Sequence, residues 1–334
     1  MTTPGEVAGD ERVAPPFDLL VAGDLNPDVV LTDVPPELGG GQSERLVAEA
    51  VLTVGGSAGI VACGAARLGL RTALASIVGD DDAGSYVRSA LAARQVDVGG
   101  VVVRDAQATG LSVSLVGPAR GDRAILTAPG SIALFEAAMI DGTLLRRARH
   151  LHVTSFFLQP RLATGIRALL DEARASGLST SLDCNDDPAG RWDGLLAVLP
   201  AVDILFANRR EAMALTGGSG GLEPALTRLA STGTLPVVKL GDAGAVAWSS
   251  GTTTSVPAFP VEVRDTVGAG DGFAAGFLCA WLETRDLARS LAFGAACGSL
   301  STRALGGVEA QATRAEASAA AEWLLSGAAL EGAT

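Results

Sequence analysis

Asp265-Thr266-Val267-Gly268-Ala269-Gly270-Asp271-Gly272-Phe273-Ala274-Ala275-Gly276-Phe277 is the stretch on which the reading of this chain turns. Upstream, Val256-Pro257-Ala258-Phe259-Pro260-Val261-Glu262-Val263 is apolar and proline-marked, the pattern of one or two short edge strands. Downstream, Phe273 to Trp281 is apolar almost all round, the pattern of a buried helix. A glycine-rich turn feeding a helix N-terminus can converge the N–H groups of Gly268, Ala269 and Gly270 on one point, where the helix dipole adds positive potential. Asp271 falls inside that pocket. A carboxylate in a first helical turn ordinarily just complements the dipole, but this leaves the tiny residues on both sides of it unexplained. A pocket that only gripped phosphate would be weakened by a negative side chain. A pocket that transfers a phosphoryl group would not, because the acceptor hydroxyl needs a base while the moving group needs N–H donors. The stretch therefore predicts Asp271 as general base and Gly268, Ala269 and Gly270 as an anion hole. A dinucleotide-binding reading is weak: counted from Gly268, G-x-G-x-x-G puts Phe273 where a third small residue belongs.

The pattern Asp-Thr-x-Gly-Ala-Gly-Asp-x-x-x-Ala-Gly-Phe resembles the C-terminal signature of the ribokinase-like (PfkB) carbohydrate kinase family. The resemblance implies a doubly wound, mainly parallel α/β sheet flanked by helices, with a small β-sheet lid over the sugar. It also implies ATP- and Mg2+-dependent phosphorylation of a primary hydroxyl on a small sugar or sugar-like alcohol.

The chain has 334 residues, 48% of them hydrophobic, which is room for one large α/β domain and a small appendage. Its formal net charge of −12 argues against a broad nucleic-acid or anionic-membrane surface. Cys63, Cys184, Cys279 and Cys297 are widely spaced, so neither a zinc site nor a disulfide framework is indicated. His150 and His152 alternate in a strand-like segment, not a metal motif. Residues 1–16 are polar, acidic and proline-containing and read as a disordered tail, without the apolar centre of a signal peptide. No run approaches ~18 clean apolar residues. A reduced, soluble, cytoplasmic protein is expected, with one kinase domain over 17–330.

Phe17 to Gly23 reads as a buried strand, with Asp24-Leu25-Asn26-Pro27-Asp28 beyond its C-terminal end, where open α/β sheets bind ligands. A proline turn with Asx capping is the plain alternative. By resemblance to Gly-x-x-Asn-x-Asp, Asn26 and Asp28 contact the acceptor. Two β-rich patches, about 31–52 and 98–128, flank the first βα unit and read as the lid. Between them Gly55-Gly56-Ser57 opens an alanine-rich helix that closes at Gly69, similar to the family's N-terminal signature and placing these three residues at the substrate. One position departs: where many members carry asparagine on that helix, this chain has Ile60, which removes a polar handle. From Arg149 onward strands and helices alternate at short intervals, as a doubly wound sheet requires.

Asn208 and Glu211 stand at a strand–helix junction, a near capping box on its own terms. The resemblance makes them the pair that organises Mg2+ hydration and phosphates, and a glutamate acting through water suffices for Mg2+. Asp183 and Asn185 match a family Asp-x-Asn, with Asn185 assigned to the nucleotide side. By the same resemblance, Asp187 stands where kinases of keto-deoxy acids or of fructose tend to carry arginine, which argues against a carboxylate or phosphorylated acceptor, though a turn before Pro188 would also explain it. Lys239, Gly241 and Gly244 end a strand in a tight turn that by likeness lines the nucleotide phosphates. Lys239 could point at phosphate or lie on the surface. Asp265 corresponds to a residue that binds a monovalent cation (K+) in some members, and reads equally as a structural cap. The chain has no Gly-x-x-x-x-Gly-Lys-[Ser/Thr] and no protein-kinase triplets, so its phosphate grip is of another kind. Two other readings stand beside the sugar kinase: a nucleoside kinase, with Phe156 and Phe157 as a base slot, and a non-catalytic sensor. A homodimer through the lid is also open.

Overall fold

The computed structural model describes residues 16–35, 42, 44–117, 123–218 and 220–327. The tail expected over 1–16 therefore lies almost wholly outside the described residues, as does part of the first lid patch. The chain opens with β1 (Leu19–Ala22), buried throughout, then β2 (Asn26–Leu31) and β3 (Ala50–Gly55). Helix α1 (Ser57–Arg67) leads to β4 (Thr72–Gly79), α2 (Asp82–Ala93) and β5 (Asp97–Arg104). A hairpin of β6 (Leu111–Val116) and β7 (Arg123–Ala128) precedes the short α3 (Gly142–Leu145). Alternation then sets in: β8 (His150–Thr154), α4 (Pro160–Ala175), β9 (Ser179–Asp183), α5 (Leu195–Val198), β10 (Ile204–Asn208). After α6 (Arg209–Leu215) and α7 (Leu222–Ala230) come β11 (Leu235–Lys239), β12 (Ala245–Ser249) and β13 (Thr252–Val256). The helices α8 (Ala269–Thr284), α9 (Leu287–Ser301) and α10 (Arg314–Leu325) close the chain.

The larger sheet runs β13-β12-β11-β10-β9-β8-β1-β4-β5. It is parallel from β5 to β11 and antiparallel at β12 and β13. Apolar clusters cover both faces: α1, α8 and α9 lie on one side, α4 and its neighbours on the other. That is why β4 and β8 are buried along their whole length. Because β1 lies between β4 and β8, the order reverses there, and a crevice opens beyond the carboxyl end of β1. Among the described residues no helix is long and apolar enough to cross a membrane.

The small sheet runs β3-β2-β6-β7. Its register sorts the side chains cleanly: Asp28, Thr53, Ser112 and Thr127 share one face, and Val29, Leu52, Val113 and Leu126 the other. The first set looks toward the crevice. The second is turned outward, with Leu52 and Leu126 more than half exposed.

Four expectations are corrected. The strand around Val101, expected in the lid, is β5 and pairs with β4 at the edge of the large sheet; strand-forming residues do not name their partner. Asn26 and Asp28 lie within a lid strand, not in a turn. Beyond Val256 the proline-marked segment forms no strand, because its N–H-lacking prolines cannot sustain a ladder. The sequence reads as helical from Trp192 to Leu199, but the helix starts at Leu195 and passes into a 3-10 turn over Leu199–Ala201.

Candidate active site

The crevice gathers the carboxyl ends of β1, β8, β9, β10 and β11, together with the N-termini of α1 and α8. At the lid end, Asn26 donates from Nδ2 to Asp28 Oδ1 at 2.8 Å and to Ser112 Oγ at 3.2 Å. Ser112 and Thr127 pair at 3.0 Å, so lid hydroxyls continue the polar row. Gly55 is required here, since a Cβ on it would fall 1.9 Å from Asp28 Oδ1. Gly56 has φ +74°, and a Cβ on it would meet the Asp24 carbonyl at 2.5 Å. Burial pushes the Asp28 carboxyl up to about 7, with Asn26 opposing and Asp24 adding to the rise.

Asp24 was not among the predicted site residues, yet it anchors this end. Its Oδ2 accepts from the Ser57 N–H at 3.0 Å, and its Oδ1 accepts from the Thr154 hydroxyl at 2.9 Å. It therefore caps the first turn of α1 and fixes Ser57. Asn185, expected on the nucleotide side, is held at the head of α1: Oδ1 accepts from the Ser155 N–H at 3.0 Å, and Nδ2 donates to Ser57 Oγ at 2.8 Å. The Ser57 hydroxyl also helps hold the Asp271 carboxyl down against its burial. Asn185 is thus bonded to Ser57, which stands near the predicted base Asp271.

Asp271 occupies the first turn of α8 and is buried. Burial pushes its carboxyl up to about 8; Asp183 and Asp24 add to this, while Lys239 and the Ser57 hydroxyl oppose it. Before it, Gly268 adopts φ +72° as the N-cap, the left-handed conformation natural only to glycine. A Cβ there would strike Gly307 Cα at 2.5 Å. Ile60, the departure from the family pattern, is buried against Gly307 and Gly268. It fills the space behind the anion-hole turn, where an apolar side chain costs nothing in hydrogen bonds.

Lys239 is not a surface residue. It pairs with Asp183, whose side chain is 1% exposed, and its Nζ would lie 3.1 Å from a Cβ on Gly270. An ammonium therefore sits directly under Gly270. Burial works against its charge, but Asp183 and Glu211 outweigh that and hold it above the usual lysine range. Asn208 and Glu211 form the full capping box: Glu211 Oε2 accepts from Asn208 N at 2.7 Å, and Asn208 Oδ1 accepts from Glu211 N at 2.9 Å. Burial raises the Glu211 carboxyl. Asp183, Cys184 and Glu211 bring potential ligand atoms within 4.8 Å of one another. Burial keeps the Cys184 thiol protonated, so the hard donors at this spot are the carboxylates. With Lys239 as their one internal cation they retain net negative charge, which fits a divalent cation held through water.

Other predicted residues settle into structural roles. Gly244 has φ +88°, and a Cβ on it would fall 2.0 Å from Val256 O; Gly241, at φ +65°, faces open space at the same turn. Both Asp265 oxygens accept backbone N–H groups, from Val267 at 3.0 Å and Gly306 at 2.9 Å. The Asp187 carboxylate accepts from Ala189, Arg191 and Trp192 in its own loop and is buried, so its charge does not face an acceptor. His150 and His152 are buried and bonded to Ser179 and Ser181.

Residues 17–314 match the family model described as pfkB family carbohydrate kinase. An ATP-dependent ribose-1-phosphate kinase from Halopiger xanaduensis is 36% identical over 84% of this chain and 90% of that protein. A fructokinase from Klebsiella pneumoniae is 32% identical over 77% of this chain and 88% of that protein. A provisionally named ribokinase II from Escherichia coli, solved with ATP and Mg2+, superposes with a TM-score of 0.80 at 23% identity. That match covers 92% of this chain and 99% of the other.

Proposed function

The chain belongs to the pfkB family of carbohydrate kinases, and from that premise we propose that it moves the γ-phosphoryl group of ATP to a primary hydroxyl of a small sugar. One kinase unit over 17–330, lid included, does this. The observation that carries the reading is Asp271 itself, buried in the first turn of α8 just after the Gly268 turn, with Lys239 beneath Gly270 and Asn185 bonded to the nearby Ser57. Asn26 and Asp28 orient the sugar hydroxyls, with Ser112 and Thr127 above them. Asp271 takes the proton of the attacking hydroxyl. The amides of Gly268, Ala269 and Gly270 receive the transferring phosphoryl oxygens, and Lys239 beneath Gly270 adds fixed positive charge. Gly241 and Gly244 shape the turn on the nucleotide side.

Mg2+, held through water by Glu211 with Asn208 orienting it, would neutralise phosphate charge. A K+ ion beside Asp265 is not part of the reading, because both carboxylate oxygens tie down the backbone of the 265–267 and 306 segments. Sugar phosphates belong among the acceptors to be tried, since Asp187 does not repel them.

The nucleoside alternative is less well supported. Phe156 and Phe157 pack edge-to-face at 5.0 Å, and Phe157 packs on Trp192 at 5.2 Å, so the rings are spent on one another. A second copy of the chain fits the apolar outer face of the lid, where Leu52 and Leu126 are exposed. Free, buried cysteines suit a cytoplasmic setting.

The test is ADP release with Mg2+-ATP across fructose, ribose, ribose 1-phosphate, polyols and nucleosides, with Asp271→Asn alongside. A sugar-dependent signal that vanishes in the variant supports the reading. A signal only with nucleosides replaces the acceptor, and silence with ATP still bound moves the protein to the sensor class.

A further inference from the structure

The charges around the site are lopsided. Asp24, Asp28, Asp183, Glu211, Asp265 and Asp271 are all buried there. Lys239 is the sole lysine of the chain and is already engaged by Asp183 and Glu211. An incoming polyphosphate adds further negative charge. Arg264, on the approach to the anion-hole turn, is paired with Glu49. Arg123 is different. Among the described residues its guanidinium has no carboxylate partner, and its hydrogen bond goes from Nη1 to Thr266 Oγ1 at 3.3 Å.

Two features aim it. Along β7, Arg123, Ile125 and Thr127 alternate onto the lid face shared with Ser112, Ser114 and Asp28, the face turned to the crevice. Thr266, which Arg123 touches, opens the turn that closes with Ala269 N–H to Thr266 O at 3.3 Å. The guanidinium therefore rests on the turn that presents Gly268 and Ala269. A bond this long to a neutral hydroxyl is readily exchanged for a charge-assisted, two-pronged contact with phosphoryl oxygens, the geometry a guanidinium suits best.

We propose that Arg123 is a further catalytic residue, carried by the lid onto the anion-hole turn, where it binds the transferring phosphoryl group once nucleotide and acceptor are in place. The inference rests on the reading of 268–271 as the transfer site. In the step it serves, the acceptor oxygen forms its bond to γ-phosphorus, the bond from γ-phosphorus to the β,γ-bridging oxygen breaks, and the acceptor proton passes to Asp271. Arg123 gains and loses no proton; it neutralises charge that peaks in the transition state. It would also tie lid closure to chemistry, since an open lid leaves the cation away from the phosphoryl group.

The experiment uses the full chain with Mg2+-ATP and the best acceptor from the panel, comparing wild type, Arg123→Ala and Arg123→Lys. Loss of one charged donor at such a site costs about 10²–10³-fold in kcat. Arg123→Ala is expected to show that loss, with ATP affinity and melting temperature close to wild type. Arg123→Lys, or added guanidinium ion, should recover part of it. A kcat for Arg123→Ala within about twofold of wild type, less than the loss of any donor there would cause, overturns the inference alone. So does a loss that appears only in KM and only for phosphorylated acceptors, which would assign the arginine to the acceptor's own phosphate. Wild-type inactivity on every acceptor would remove the transfer reading and this inference with it.

Discussion

The two sheets solve opposite problems. The nine-stranded sheet is packed on both faces, and its polar groups emerge only where strands end: Asp24 after β1, Thr154 closing β8, Asp183 closing β9, Asn208 closing β10 and Lys239 closing β11. The four-stranded sheet is covered only in part: α2 packs against β2 and β3, while β7 is exposed along its whole length. Asp28, Thr53, Ser112 and Thr127 stand along the strands on the crevice side, while Val29, Leu52, Val113 and Leu126 are on the other face. The first arrangement fixes groups to a fraction of an ångström, which suits a base and an anion hole. The second yields a cover that can move as a unit, which suits acceptor selection and water exclusion.

That contrast can be broken by substitution, and the largest effect is expected in the body. Asp271→Asn should lower kcat by about 10²–10⁴-fold, the contribution of a well-placed general base. Retention of more than about a few per cent of activity, far above what loss of such a base allows, would sink the assignment. Next, Lys239→Met should leave Asp183 buried and unpaired, at a cost of about 3–5 kcal/mol in a denaturant titration. A loss below ~1 kcal/mol, the scale of a surface pair, would mean the pair is effectively solvated.

A third effect concerns pH. The Asp271 carboxyl is held up to about 8 in the folded protein, against its unfolded value of 3.8. As a base it must be ionised, so kcat/KM should rise with pH through a limb near 8. Linkage runs the other way: the folded state binds this proton more tightly, so the stability it confers is complete below pH 3.8 and declines up to about 8. Asp271→Asn should therefore melt higher than wild type at pH 8 and show little difference at pH 4. Equal melting temperatures at both would show that the carboxyl is not desolvated.

The lid should answer more softly. Asp28→Asn is expected to raise the acceptor KM by at least about tenfold, the worth of one charged hydrogen bond, while ATP affinity stays put. A matching fall in ATP affinity would place Asp28 at the nucleotide. Smallest of all, Leu126→Ser on the outer lid face should shift monomer stability by no more than about 0.5 kcal/mol. Light scattering should nevertheless show dissociation if two copies meet there; an unchanged mass would remove the lid dimer.

Much of this architecture was legible from residues close together in the chain. The glycine turn before α8, the Asp271 position in its first turn and the Asn208/Glu211 box are local features, and local sterics and capping chemistry decide them whatever else the chain does. The alternation after Arg149 likewise announced a doubly wound sheet. Tertiary packing alone decided the rest. It assigned β5 to the large sheet, set Lys239 under Gly270, turned Asn185 toward Ser57 and placed Ile60 behind the Gly268 turn. It also spent the Asp187 charge inside its own loop and set Asp24 and Arg123 at the two ends of the site. In each of these a side chain meets a partner far away in sequence, or a backbone turn that only the folded chain completes. Periodicity and motif spacing fix the direction of a side chain relative to its own element, while its partner depends on how whole elements stack.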